Sequence, residues 1–203
     1  MINLRKIYNF FIFKIIFIYL KTKGIKISFQ SKFHSFPKLK INGLSSNIEI
    51  GSIEVLGTID LRNRENGKII LEDKVKIESD CRFVSAREGT IKIGKGTIIT
   101  KGAVINGGGN VIIGENSILG PRITINANEH VFKKGVLIKD QGFIHKDIII
   151  EDDCWFGTNV VINKGVTIKR GSVVGACSLV NKDTEIDSIN AGVPSKKISE
   201  RVK

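Results

Sequence analysis

The chain is poor in the side chains that metal and redox chemistry need. Its 203 residues hold three cysteines, three histidines and one tryptophan. Cys81, Cys154 and Cys177 form no CxxC pair, which argues against a cysteine-built metal or redox site, so no metal is expected. They read as reduced thiols of a cytosolic protein, with Cys81 and Cys154 serving as small buried hydrophobes. Long apolar runs are missing too. The greasy stretch from Ile7 to Leu20 is broken by Asn9 and Lys14. As a helix it spans roughly 21 Å, short of the ~30 Å hydrocarbon layer. No small-residue cleavage site follows it, which argues against a secretory signal. Acidic residues are absent from Met1 to Leu44, where nine basic ones stand, and Ser195 to Lys203 carries four basic residues against Glu200. Between these ends lie 19 residues of each sign, so the body is neutral. A nucleic-acid binder would carry a basic stripe across its folded body, and no nucleic-acid partner is expected.

What the chain has is a period of six. Ile150, Phe156, Ile162, Ile168, Val174, Val180 and Ile186 follow one another at six-residue steps. The fifth member of each hexad is small or β-branched: Cys154, Val160, Val166, Ser172, Ser178, Thr184. Six matches neither the 3.6 of an amphipathic helix nor the two of a half-buried strand. It matches a short strand plus a turn with one large side chain pointing inward, the mark of a parallel β-solenoid.

Running the hexad backwards places coil starts at Ile50, Leu71, Ile93, Ile113, Ile150 and Ile168, with Leu56 as a second inward residue of a degraded early coil. The spacing is eighteen plus an excess, so the unit is a triangular coil of three hexapeptides. Small insertions fall at Arg64–Gly67 and Gly107–Gly109, and Gly94, Gly96, Gly102, Gly114 and Gly165 are expected to supply positive-φ corners. The expected fold is all-β: residues 1–24 a hydrophobic, basic, helical segment, 25–49 a lead-in, 50–186 the β-helix, 187–203 a tail. Handedness is not legible here, and generic sterics favour right-handed crossovers.

The segment 1–24 shows no clean polar face on a helical wheel. It reads either as a cap over the first coil, since solenoid ends must be covered, or as an anchor on an anionic membrane, each flanking base adding ~1 kcal/mol. The corresponding location is cytoplasmic, peripheral at the inner face of the cytoplasmic membrane.

One excess is nineteen residues, and it forms a loop over 131–147 between two regular coils. Long loops on rigid scaffolds are disproportionately functional. It begins beside Asn126, Asn128 and His130, whose imidazole can take a proton near neutral pH. His145 and His34 read as solvated bystanders.

The run DCWFGTNVVINKGVTIKRGSVVGACSLVNKD, followed by INAGVPSKKI, resembles the hexapeptide-repeat (left-handed β-helix) acyltransferases. Its nearest branch is that of the maltose, galactoside and streptogramin acetyltransferases and the capsule or O-antigen O-acetyltransferases. The resemblance covers roughly 50–198 and implies a left-handed prism, a homotrimer, and acetyl-CoA in the groove between subunits. It implies His130 as catalytic base and Trp155 beside the acetyl and pantetheine end. Gly157, Thr158, Gly175 and Ala176 would line the pantetheine arm, Asn181 and Lys182 the groove beyond, and Lys196 the adenosine phosphates. Asn106 and Asn128 would hold the acceptor or the oxyanion, and the loop would lean over a neighbour's site. Asn181 replaces the usual Thr, and Ser195 stands where Ala or Cys is common.

The expected reaction is acetyl transfer to a hydroxyl of a sugar or surface-polysaccharide precursor by direct attack. No Ser or Cys lies in a nucleophile elbow, which argues against an acyl-enzyme. The alternatives are N-acetylation of an amino sugar-nucleotide, a zinc lyase of the hexapeptide-repeat carbonic anhydrase type, and a non-catalytic scaffold. The lyase needs three converging histidines, of which His130 and His145 supply two at most.

Overall fold

The computed structural model describes residues 4–202; Met1–Asn3 of the N-terminal segment and Lys203 of the tail lie outside the described residues. After a helix, Leu4–Thr22, the chain winds into a prism with three parallel walls. The first wall stacks seven strands, from Lys26–Ile27 through Ile148–Ile150 to Thr167–Ile168. The second holds Lys32–Phe33, Glu54–Val55, Lys76–Ile77, Ile98–Ile99, Ile118–Leu119, Trp155–Phe156 and Val173–Val174. The third runs from Lys38–Ile41 to Leu179–Val180.

The hexad explains this stacking. Parallel pairing in register sets Ile50 under Leu71, then Ile93, Ile113, Ile150 and Ile168, the six expected coil starts, and all are buried. Phe156, Ile162, Val174 and Val180 are likewise buried, and so are the small positions Cys154, Val160, Val166, Ser172, Ser178 and Thr184. Each strand's N–H and C=O groups pair with the coils above and below, so the interior can be largely apolar without orphaning a backbone group. Burial pushes the Cys81 and Cys154 thiols up to about 11, which leaves them protonated and inert.

Several expectations need correction. The stretch 25–49 does not merely lead into the first coil; its strands Lys26–Ile27, Lys32–Phe33 and Lys38–Ile41 form that coil. Leu56 is exposed, and Val55 takes the inward place. Ile186 is exposed as well, because the chain leaves the hexad after Val180. The tail is a hairpin: Ser188–Gly192 stacks on Val173–Val174, and Ser195–Glu200 returns antiparallel along it. Of the five corner glycines, Gly96, Gly102 and Gly165 have positive φ. Gly94 and Gly114 are small for another reason. A Cβ on Gly94 would lie 2.5 Å from the backbone of Gly114, and one on Gly114 would lie 2.3 Å from Asp152 Oδ1. Asp80, Asn116, Arg122, Asp153 and Asn159 supply further left-handed corners.

The helix caps the prism. Ile16 and Leu20 are fully buried and close the aliphatic column with Ile25. Gly24, at φ +80°, ends the helix, with its N–H donating to the Lys21 carbonyl and that of Ile25 to the Leu20 carbonyl. No helix among the described residues is long and apolar enough to cross a membrane.

Candidate active site

The loop over 131–147 is built as a hairpin. Asn128–His130 pairs antiparallel with Phe143–His145, setting Asn128 opposite His145 and His130 opposite Phe143. It leaves the prism where Thr124–Asn126 ends on the third wall and rejoins it at Ile148 on the first. Gln141 ties its far end together, accepting from the Lys133 N–H and donating to the Lys133 and Val136 carbonyls. The imidazole of His130 is exposed and lies against the Phe143 ring, centroids 4.1 Å apart. Glu129, between the two polar residues of this arm, pairs with Lys164.

Beside the hairpin, the third wall presents a ladder of asparagines. Asn106, Asn126 and Asn163 stack in register and point outward, and Asn106 Nδ2 donates to Asn126 Oδ1 at 2.7 Å. Asn106 is therefore held in place by its neighbour through one of its two amide hydrogens. Asn126 and Asn163 form the ladder with it, which their shared place directly after an inward isoleucine, Ile125 and Ile162, would have revealed. His145 also differs from the bystander expected. Its ring sits in the corner at Gly108, where a Cβ would approach Nδ1 to 2.3 Å, and both ring nitrogens are buried without a partner. Burial, then repulsion from Arg87, holds its pKa below the ordinary histidine value. The neutral ring acts as a wedge that seats the return strand.

Trp155 lies on a different face. It projects from the second wall, 54% exposed, in an outward column with Ile98, Ile118, Val173 and Ile189. A single chain thus sets His130 and Trp155 on separate sides of one prism. Just beyond Trp155, Gly157 and Gly175 spend their N–H groups on the carbonyls of Val174 and Asn190 in the next coil, each at 2.8 Å. Gly157 is tight: a Cβ would lie 2.6 Å from the Ala176 nitrogen. Among the described residues, the N–H groups of Thr158 and Ala176 have no hydrogen-bond partner. They occupy the same corner of successive coils, where Cys177 N–H donates to the Thr158 carbonyl.

At the C-terminal end the bases divide. Lys197 pairs with Glu185 and Glu200, and Arg201 with Asp153 and Asp187, contacts that raise both pKa values. Lys182 and Lys196 make no ion pair among the described residues, and both line a cavity of about 240 Å³ with Asn190, Ser195, the carboxylates Asp183 and Glu185, and the paired Lys197. Asn181 is exposed nearby. Together these supply an apolar column, two free amides and two free ammoniums along one end of the prism. No group of three His, Cys, Asp or Glu with metal-binding geometry occurs among the described residues.

Residues 147–182 match the family described as bacterial transferase hexapeptide (six repeats). The dTDP-4-amino-4,6-dideoxy-D-glucose acyltransferase of Escherichia coli is 30% identical over 66% of this chain and 73% of its own. The crystal structure of the polySia-specific acetyltransferase NeuO superposes with a TM-score of 0.68 at 28% identity, covering 86% of this chain and 79% of that one. A hexapeptide-repeat-containing acetyltransferase of Vibrio cholerae O1 biovar eltor, solved with acetyl coenzyme A, is 37% identical, with a TM-score of 0.51 over 54% of this chain and 60% of that one. The chain spans less than half the length of the first curated relatives it matches, 48% and 43%. The triangular prism is consistent with the left-handed β-helix. With its repeat, its fold and these likenesses, the chain belongs to the bacterial hexapeptide-repeat transferase family.

Proposed function

We propose that the chain is an acetyl-CoA-dependent O-acetyltransferase acting on a hydroxyl of a sugar or surface-polysaccharide precursor. The observation that carries this reading is the run of Trp155, the free amides of Thr158 and Ala176, and the unpaired Lys182 and Lys196 along one end of the prism. Apolar, amide-binding and cationic groups suit a thioester, a pantetheine arm and phosphates. The complex of a relative with acetyl coenzyme A supports the assignment.

His130, exposed on its hairpin, is the general base. Its imidazole takes the acceptor's proton as the oxygen attacks the thioester carbonyl, a contribution of ~10²–10⁴-fold. The tetrahedral intermediate then collapses by breaking the C–S bond, and the coenzyme sulfur leaves as the thiol with the proton returned from the imidazolium. Asn106 and Asn128 hold the acceptor or donate to the developing oxyanion. Because Trp155 stands on the second wall and His130 on a hairpin that leaves the third, the slot is completed between copies in a homotrimer. The outward column Ile98–Ile118–Trp155–Val173–Ile189 supplies the apolar surface such an interface buries. The same reading has residues 1–24 touching an anionic membrane, which puts the protein at the inner face of the cytoplasmic membrane.

N-acetylation of an amino sugar-nucleotide is the second reading, favoured by the relative named for such a substrate. Mass spectrometry of acetyl-CoA incubated with paired hydroxyl and amino sugars separates the two. Acetyl esters on the hydroxyl sugars support O-transfer, and exclusive amide products overturn it.

A further inference from the structure

The cap has two apolar faces. Inward, Ile16 and Leu20 close the core. Outward, Tyr8, Phe11, Ile15 and Ile18 recur at steps of three and four, so they share one stripe, and each is more than half exposed. Beside this stripe, Phe10, Phe13 and Phe17 of the helix and Phe29 of the first coil line a groove of about 440 Å³. Phe17 and Phe29 meet edge to face at 5.3 Å, and the ammonium of Lys14 lies 4.3 Å from the centre of the Phe10 ring. Lys32 stands at the other rim. Lys14, Lys21, Lys23 and Lys32 have no carboxylate partner among the described residues, and no acidic residue occurs before Glu49.

From this geometry we infer that the capped end of the prism is a docking surface for an anionic phospholipid bilayer, with the helix lying flat in the interface and the aromatic groove taking an acyl chain. This deepens the membrane contact of the proposed function and rests on that part of it. An apolar stripe this wide is costly to leave in water, and a bilayer surface covers it while lipid phosphates neutralise the ring of ammoniums. The core-facing side is already spent on the cap, so the helix lies on the bilayer rather than crossing it. The prism then stands on its end. The hairpin of His130 leaves the fifth coil, four coil spacings above the first, so the chemistry sits about 19 Å above the first coil and farther still from the cap, at the height of a short glycan rather than of a lipid headgroup.

The test is co-sedimentation of the full chain with phosphatidylcholine vesicles, with and without phosphatidylglycerol, at low and high salt. Wild type is compared with Phe11→Glu/Ile15→Glu, both exposed positions, and with Lys14→Glu/Lys32→Glu. Wild type should bind the anionic vesicles, more weakly at high salt, and each double variant should lose at least about tenfold in affinity. An unchanged melting temperature shows that the cap still folds. A second readout uses Phe10→Trp, whose fluorescence should be quenched by phospholipids brominated on the acyl chain. No binding to anionic vesicles, equal binding to neutral ones, equal binding by folded variants, or self-association that Phe11→Glu/Ile15→Glu abolishes would each overturn the inference. Acetyl transfer to a soluble acceptor, measured on the same preparations, tests the enzymatic reading separately, because vesicle binding needs no chemistry.

Discussion

His130 rests on Phe143 across the hairpin, the two rings 4.1 Å apart and tilted by 40°. An exposed imidazole on a loop would sample many rotamers, and the aromatic face narrows them. On the proposed role of His130 as the base, Phe143 is a positioning residue. Replacing it with Ala should lower kcat by roughly tenfold with little change in KM for acetyl-CoA, and Phe143→Tyr should restore most of the loss. Equal kcat in all three would remove the role.

The close stacking at Gly157 can be tested by adding volume. Gly157→Val drives a branched side chain against the backbone of Ala176, already 2.6 Å from an ideal Cβ. The expected cost is about 1–3 kcal/mol of stability, read by denaturant unfolding, together with weaker acetyl-CoA binding as the free amide of Ala176 is displaced. Full affinity in a folded Gly157→Val protein would remove this corner from the coenzyme site.

Charges at the C-terminal end should separate by their pairing. Lys196→Glu and Lys182→Glu should each raise KM for acetyl-CoA roughly tenfold with kcat held, the loss of one charge-assisted phosphate contact. Lys197→Ala breaks pairs with Glu185 and Glu200 and should leave KM unchanged. Steady-state kinetics at two salt concentrations reads all three.

His145 sets a pH dependence. Its folded-state pKa is depressed, chiefly by burial, below the ordinary 6.5. The unfolded chain then binds the proton more readily, so stability is intact above pH 6.5 and declines as pH falls below it. His145→Phe keeps a ring in the corner at Gly108 without the titration. The slope of melting temperature against pH below 6.5 should be flatter in the variant, and identical slopes would contradict the wedge.

Core substitutions check the repeat. Phe156 is fully buried between Leu119 and Val174, and Phe156→Ala should cost about 3–5 kcal/mol. Leu56→Ala should cost little, since Val55 holds the inward place.

That contrast marks what was legible in the chain. Period six is a physical consequence of one strand and one turn per wall, so the coil starts from Ile50 to Ile168 could be read without coordinates. Val55 could not, because the step from Ile50 to Val55 is five rather than six; Ile27, Phe33 and Leu39 keep the step of six, and the first coil was legible in them. The exposed Trp155 followed from filled inward positions on either side of it. The wedge at His145 did not, because a ring is set there by the stacking corner at Gly108, a contact between residues 37 apart in the chain. Nor did the fate of the tail's bases, since Lys197 and Arg201 find carboxylates only once the terminal hairpin folds back.

The most direct test is the rate of acetyl transfer from labelled acetyl-CoA to the best acceptor in a sugar panel, wild type beside His130→Ala. His130 is exposed, so the variant should melt as wild type does while its rate falls ~10²–10⁴-fold. Equal rates from the two proteins would contradict the assignment of this imidazole as the base.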